Sequence, residues 1–184
     1  GDFDFYLGEV RLSPNFDLSP FFREGGALSY GSVSDEAVDA LCARFGKDLP
    51  CPTHFVHLPA LPVVNAKFKA FDEARFQKDW EIQVHSAVKL CKAVLPAMSK
   101  AKFGRVLFIQ TSYTIGCPPK NTAAYVMNKS AIGGLVKSLA VEYARFGITV
   151  NCVAPSMMET HFLKDTPDLI VQAAAADNPM GRNA

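Results

Sequence analysis

Three consecutive segments decide the fold: RVLFIQTS at residues 105–112, AAYVMNKSAIGGLVKSLAVEYARFG at 123–147 and ITVNCVAP at 148–155. The first and third are nearly continuous apolar runs, which are typical of strands in a parallel sheet that is covered on both faces. The second is long and closes on Gly147, as helices commonly do. A strand, a helix and a second strand in this order predict a crossover between two parallel strands.

The same alternation extends toward the N-terminus. SDEAVDALCARF at 34–45 begins with a capping serine and two acidic residues, so it predicts a helix closed by Gly46. THFVHLPAL at 53–61 predicts a short buried strand. Apolar residues at helical spacing predict a helix over about 76–97, with Pro96 marking its end. Strands that alternate with helices predict an α/β protein with a parallel sheet.

The two ends of the chain are less regular than its middle. Residues 1–30 mix aromatics, prolines and glycines, and we assign one strand there, around 3–10. From about residue 165 a helical stretch, PDLIVQAAAA, precedes an irregular end. With 184 residues, of which 49% are hydrophobic and 20% charged, the composition indicates one soluble globular domain.

Charge and cysteine usage narrow the function classes. Lys and Arg number 19 against 18 Asp and Glu, and no basic stripe is present, which argues against a nucleic-acid partner. Five cysteines without a C-x-x-C pair predict reduced thiols in a cytoplasmic protein. No apolar run approaches the roughly 20 residues of a membrane span. The four histidines lack metal-ligand spacing, so we expect no metal site.

The candidate catalytic residues are Ser112, Tyr125 and Lys129. Tyr125 and Lys129 are four residues apart on the predicted helix, which places the phenol and the ammonium on one face. A cation beside a phenol stabilises the phenolate and lowers its pKa from roughly 10, so the pair is suited to acid–base work. Ser112 lies 13 residues before Tyr125, at the carboxyl end of a strand, where open α/β sheets bind ligands.

These residues resemble the short-chain dehydrogenase/reductase family, in particular its 3-oxoacyl carrier-protein reductases and related alcohol dehydrogenases. The likeness is densest over 103–160, and it extends to VSDEAV at 33–38 and NPMGR at 178–182. It implies a three-layer, doubly wound Rossmann-like parallel sheet, incomplete at both ends. Residues 1–184 would then form a single partial domain of this kind.

The resemblance also implies a reaction and a role for each site residue. The reaction is the NAD(P)(H)-dependent interconversion of a ketone and a secondary alcohol, with a 3-oxoacyl thioester among the small-molecule substrates. Tyr125 would exchange a proton with the substrate oxygen, which Ser112 would hold. Lys129 would lower the pKa of Tyr125 and, with it, contact the nicotinamide ribose. The backbone at Pro155–Ser156 and the Thr160 side chain would contact the nicotinamide.

Several positions depart from the family pattern. Gln83 stands where a catalytic Asn is usual, which makes it the fourth candidate catalytic residue. His57-Leu58-Pro59-Ala60 replaces Asn-Asn-Ala-Gly, and Ser156 replaces a glycine. The glycine-rich turn that cradles the pyrophosphate does not occur in these 184 residues. The chain is therefore either a piece of a longer protein or a variant that has lost cofactor binding. In the second case it would be a non-catalytic subunit or scaffold that pairs with an active relative.

Self-association is a further expectation. Gly133 and Gly134 lower the stability of the predicted helix by about 1 kcal/mol each relative to Ala, which indicates a close packing partner. The family resemblance implies that the helices around 83–96 and 125–143 pair with a second copy across a two-fold axis. We therefore expect a homodimer or homotetramer.

Overall fold

A computed structural model describes residues 35–158, 163 and 166–183, and it contains a parallel sheet of three strands. The strands, in the order β1-β2-β3, are β1 (His54–His57), β2 (Gly104–Ile109) and β3 (Ile148–Val153). Phe55, Val106 and Val150 are neighbours in register across the sheet. The predicted α/β class with a parallel Rossmann-like sheet is confirmed. The strand assigned to 3–10 lies outside the described residues.

Five α-helices are described, all in regions where the sequence predicts helix. They are α1 (Asp35–Cys42), α2 (Glu73–Trp80), α3 (Ser86–Ala101), α4 (Ala123–Tyr143) and α5 (Asp168–Asp177). A π-helical turn, Glu81–His85, joins α2 to α3 without a break. Short 3-10 turns occupy Phe68–Ala70, Ser112–Thr114 and Ala144–Phe146.

The core lies between one face of the sheet and helices α3 and α4. Phe108 on β2 is completely buried, and it belongs to one hydrophobic cluster with Leu90 and Val94 of α3 and Ile132 of α4. Apolar residues that are shielded from water in this way supply most of the stability of the fold. This packing fixes the sheet edge where the candidate site residues lie.

The opposite face of the sheet differs from the expectation for β2. Arg105 is exposed, and Leu107 and Ile109 are only half-buried, so within the described residues this strand is fully covered on one face. Its apolar run gives no sign of this difference, because half-covered Leu and Ile look the same in sequence as fully covered ones. The described residues thus form two of the three predicted layers.

Two predicted helix ends are wrong. Pro96 lies inside α3, which continues to Ala101 and ends at Lys102 in a left-handed conformation. The proline is exposed, and the neighbouring Leu95 and Met98 are buried in the core, so tertiary packing outweighs one lost backbone hydrogen bond. Helix α1 ends at Cys42 rather than at residue 45, because the chain turns through Gly46.

The predicted end of the long helix is close to the observed one. Helix α4 passes into a 3-10 turn that closes at Gly147, whose φ is +71°. A Cβ atom at this position would collide with the carbonyl oxygen of Lys102. Glycine is therefore required here both by the conformation and by the close approach of another segment.

Candidate active site

Tyr125 and Lys129 lie on the first two turns of α4, as the sequence predicts. The Lys129 Nζ is 5.9 Å from the centre of the Tyr125 ring and donates to the Ile109 carbonyl at 2.9 Å. Ile109 is the last residue of β2, so the ammonium is held at the carboxyl end of the central strand. Lys129 is only 4% exposed, whereas Tyr125 is half-buried.

Gln110 fixes α4 against the end of β2. Its Nε2 donates to the Lys129 carbonyl at 2.5 Å, and its Oε1 accepts from Thr114 at 2.7 Å. A Cβ atom at Gly133 would lie 2.6 Å from the Gln110 amide nitrogen, so this glycine makes room for it. The close partner of Gly133 therefore belongs to the same chain, which corrects the expectation of a second subunit there. Nothing among the described residues approaches Gly134.

Ser112 and Pro155 are brought together by an extension of the sheet. Beyond the ends of β2 and β3, Gln110 N donates to Val153 O at 2.8 Å and Ser112 N donates to Pro155 O at 3.0 Å. Ser112 is half-buried and opens a 3-10 turn. A predicted catalytic residue and a predicted cofactor contact thus lie side by side at the sheet edge. Ser156 follows Pro155 directly, and Thr160 lies outside the described residues.

The hydroxyl that bonds to Tyr125 comes from a residue that the sequence analysis did not select. Thr111, which is buried, forms a side-chain hydrogen bond with the Tyr125 phenol, and this bond acts to lower the pKa of Tyr125. Thr111 also accepts from Tyr113 N at 3.4 Å, which caps the 3-10 turn. The sequence signal for Thr111 was its position directly before Ser112. Side chains of consecutive residues at a strand end point in different directions, so either hydroxyl could have been the one beside Tyr125.

The pKa of Tyr125 does not follow the simple expectation that the neighbouring Lys129 cation lowers it. Burial is the largest influence, and it raises the pKa of Tyr125 above its usual value of 10.0. Burial also lowers the pKa of Lys129 to about 8, although the charge of Asp79 opposes this effect. The Lys129 ammonium donates to the Ile109 carbonyl, and desolvation has the largest influence on the pKa of Tyr125.

Gln83, the candidate at the position of the usual catalytic Asn, belongs to a buried hydrogen-bonded cluster. It is fully buried in the π-helical turn, and its Nε2 donates to Asp79 Oδ2 at 2.8 Å. Asn128 donates to the same oxygen at 3.0 Å. Neither Asp79 nor Asn128 stands out in the sequence, since the polar stretch EARFQKDW gives no sign that its aspartate is buried. The i, i+4 spacing of Asp79 and Gln83 was the one available signal.

The segment at the end of β1 is turned into the core. His57 Nε2 lies 3.0 Å from Ser86 Oγ, and burial lowers the pKa of His57 to about 3, so its ring is neutral near pH 7. His85 is exposed and faces Asp35 at 3.3 Å. No group of three or more possible metal-ligating side chains occurs in the part of the chain that is described. Within those residues, no helix is long and apolar enough to span a membrane.

A groove borders Tyr125. It lies between the 61–66 loop, α2 and the start of α4, and its lining is mostly apolar, with Phe71 and Phe76 on one wall. Arg75 also lines the groove and donates to the Pro62 carbonyl at 2.9 Å. Tyr125 is thus part of the lining of an open, mostly apolar groove.

A parallel α/β sheet with Ser112, Tyr125 and Lys129 at its carboxyl edge defines the class of protein. The chain belongs to the short-chain dehydrogenase/reductase family, and residues 29–184 match the family model described as Enoyl-(Acyl carrier protein) reductase.

Relatives and solved structures agree with this assignment. Oxidoreductase UcpA of Salmonella typhimurium is 34% identical over 112 residues, which cover 56% of this chain and 43% of the relative. The 3-oxoacyl-[acyl-carrier-protein] reductase FabG of Pseudomonas aeruginosa is 29% identical over 160 residues, which cover 86% and 64%. The chain thus spans less than two thirds of either relative.

One solved structure shows the same fold. It is a Beutenbergia cavernae protein named as an NAD(P)-dependent gluconate 5-dehydrogenase, crystallised with bound NADP. It superposes with a TM-score of 0.75 at 22% identity, over 88% of this chain and 66% of that one. At this identity the likeness establishes the fold alone.

Proposed function

We propose that the protein is an NAD(P)(H)-dependent oxidoreductase that interconverts a ketone and a secondary alcohol. One observation carries the proposal: Tyr125, Lys129 and the hydroxyl-bearing pair Thr111-Ser112 converge at the carboxyl edge of the sheet, beside an open groove. Membership of the family and the similarity to a 3-oxoacyl-[acyl-carrier-protein] reductase support it, and they favour a 3-oxoacyl thioester as the substrate class.

Each side chain has a distinct task in this proposal. Ser112 donates a hydrogen bond to the substrate oxygen and holds it close to the phenol. In ketone reduction Tyr125 gives its proton to that oxygen, and in alcohol oxidation it takes the proton back. The Lys129 ammonium stabilises the negative charge that develops on the phenol oxygen.

The residues at the sheet edge suit the nicotinamide half of NADP or NAD. Lys129 and Tyr125 would hold the ribose, and the backbone at Pro155 and Ser156, with Thr160, would hold the nicotinamide. The bound dinucleotide supplies the hydride for the carbonyl carbon. One observation supports the fit: a backbone hydrogen bond joins Ser112 to Pro155. In general, open α/β sheets bind ligands at this edge.

The test is reduction of a 3-oxoacyl thioester and of a simple ketone with NADPH and with NADH. Tyr125→Phe removes the exchangeable proton, and we expect kcat to fall by about 10²–10⁴-fold. Tyr113→Phe is the matched control, because its ring lies edge-on to Tyr125 at 6.2 Å but its hydroxyl has no role in the reaction. Equal activity in the wild type and Tyr125→Phe would contradict the proposal.

A non-catalytic subunit that pairs with an active relative is the second candidate function. It is favoured by the end of β1, where His57 is turned into the core and Pro59 offers no N–H to a ligand. The two candidates separate in one experiment. A folded chain that neither binds a dinucleotide nor reduces a ketone, but restores activity to a relative, would establish the second.

We also propose that the protein self-associates through α3 and α4 and resides in the cytoplasm. Val141 on α4 is 83% exposed, and Met127 and Val88 are also exposed, which leaves apolar surface on both helices. All five cysteines are unpaired, which suits a reducing compartment. Sedimentation of the wild type and Val141→Glu tests the association: the variant should shift toward monomer.

A further inference from the structure

Three buried polar side chains lie behind the catalytic pair, between α2, the π-helical turn and α4. They are Asp79, which is 8% exposed, and Gln83 and Asn128, which are fully buried. Asp79 Oδ2 accepts from Gln83 at 2.8 Å and from Asn128 at 3.0 Å, and Asp79 Oδ1 accepts from Leu61 N at 2.9 Å. The carboxyl group of Asp79 is thus the centre of the cluster.

The hydrogen-bond donors around Asp79 match the ionised form of its carboxyl group. Three N–H groups point at its two oxygens, and an ionised carboxylate accepts hydrogen bonds without donating any. Both amides turn their NH2 groups toward it, and this leaves Gln83 Oε1 and Asn128 Oδ1 without a hydrogen-bond partner among the residues that the structure describes. Leaving buried acceptors unpaired has a cost, so the carboxylate determines how both amides are oriented.

Lys129 is the cation on which the charge of this carboxylate acts. It follows Asn128 directly on α4, and the Asp79 charge favours its protonated form. The other titratable groups in these surroundings are His57 and Tyr125, whose shifted pKa values keep both uncharged near pH 7. Arg75, one turn before Asp79 on α2, is bonded to the Pro62 carbonyl. Asp79 is thus the negative charge that offsets the burial of Lys129 within residues 35–158.

We propose that Asp79 is a positioning residue for the Tyr125–Lys129 pair: its buried carboxylate keeps Lys129 in the ammonium form and orients Gln83 and Asn128 beside it. Its consequence for catalysis rests on the proposed function, because the ammonium form of Lys129, and not the neutral amine, stabilises charge on the Tyr125 oxygen. The electrostatic effect itself is a property of the chain and needs no dinucleotide.

Asp79→Asn tests the proposal without changing the size of the side chain. The new amide can donate to Gln83 Oε1 or Asn128 Oδ1 once either amide rotates, so the cluster keeps hydrogen bonds while it loses its charge. The readout is the titration of the Lys129 side chain by NMR in ¹³C-lysine-labelled protein without dinucleotide. Lys129→Arg assigns the signal.

We expect the Lys129 midpoint to move to lower pH by about one unit in Asp79→Asn, because an opposite charge has been removed. Asp72→Asn is the matched control. Asp72 caps α2 and is exposed, and Asn is an equally good capping residue, so the Lys129 midpoint should stay at its wild-type value. An unchanged midpoint in folded Asp79→Asn would overturn the proposal.

A second measurement uses the wild type alone and so does not depend on how Asp79→Asn folds. The ¹³C resonance of the Asp79 carboxyl should show an inflection at the pH where Lys129 loses its proton. A flat response through that range would refute the coupling. Failure of ketone reduction would leave both results intact, so failure of this proposal and failure of the proposed function are distinguishable.

Discussion

The two sides of Lys129 differ in how closely they follow the family pattern. On the side formed by β2, α4 and β3, Ser112, Tyr125 and Lys129 keep the family spacing, and backbone hydrogen bonds join the strand ends. On the side formed by β1 and α2, buried His57 and Asp79 occupy a region where the family pattern differs. Under the proposed function, the geometry of the reaction constrains the first side. On the second side the buried polar side chains are held by hydrogen bonds to one another and to the backbone.

After Tyr125→Phe, the largest expected effect comes from breaking the first side at Lys129. Lys129→Gln removes the ammonium that stabilises charge on Tyr125, so we expect kcat/KM for ketone reduction to fall about 10²–10³-fold. Lys137→Gln, on the exposed face of the same helix, should keep wild-type activity. Steady-state kinetics checks both. Near-normal activity in Lys129→Gln would mean that the Lys129 ammonium takes no part in the reaction.

A somewhat smaller effect is expected on the second side, in the dependence of stability on pH. Because burial holds the pKa of His57 at about 3, against 6.5 when unfolded, only the unfolded chain takes up this proton as the pH falls from about 6.5 to about 3. Stability falls over that window. At about pH 4 the loss from this residue is roughly 3 kcal/mol, at 1.36 kcal/mol per pKa unit.

Urea unfolding at about pH 7 and about pH 4 measures this contribution. His57→Asn, which introduces a residue that does not titrate, should lose roughly 3 kcal/mol less than the wild type between the two conditions. His54→Asn, exposed on the same strand, should behave like the wild type. If all three proteins lose the same stability, His57 is not held neutral by the core.

The smallest expected difference in activity is the one between replacing Ser112 and replacing its neighbour Thr111. If Ser112 holds the substrate oxygen, Ser112→Ala should lower kcat/KM by about 10²-fold. Thr111→Val removes a hydrogen bond that lowers the pKa of Tyr125, so it should shift the pH profile toward higher pH and lower kcat/KM only about fivefold. The test is to measure the activity of both variants against pH. A larger loss of kcat/KM in Thr111→Val than in Ser112→Ala would mean that Thr111, and not Ser112, holds the substrate oxygen.

The regular elements of the first side could be predicted from sequence because their patterns are local. The long helix, the two apolar strands and the order of Ser112, Tyr125 and Lys129 all follow from periodicity and spacing. The end of α3 could not be predicted. Its last turn depends on the burial of Met98 beyond Pro96, which is a tertiary effect.

The second side is harder to predict because its features join distant segments. Asp79 and Asn128 are 49 residues apart in the chain, and His57 and Ser86 are 29 apart. Each residue alone is ordinary in a polar helix or a short strand. The packing role of Gly133 is hard to predict for the same reason, because its neighbour Gln110 lies just after the end of β2 and not on the helix.

Titration of NADPH and of NADH into the chain by calorimetry is the most direct test of the central claim, that this sheet edge is a dinucleotide site. We predict saturable binding of one of them, weakened about tenfold or more in Tyr125→Phe/Lys129→Ala, since hydrogen bonds to charged groups contribute about 1.5–3 kcal/mol. A folded chain that binds neither dinucleotide, or binds equally well with both residues replaced, would contradict the claim.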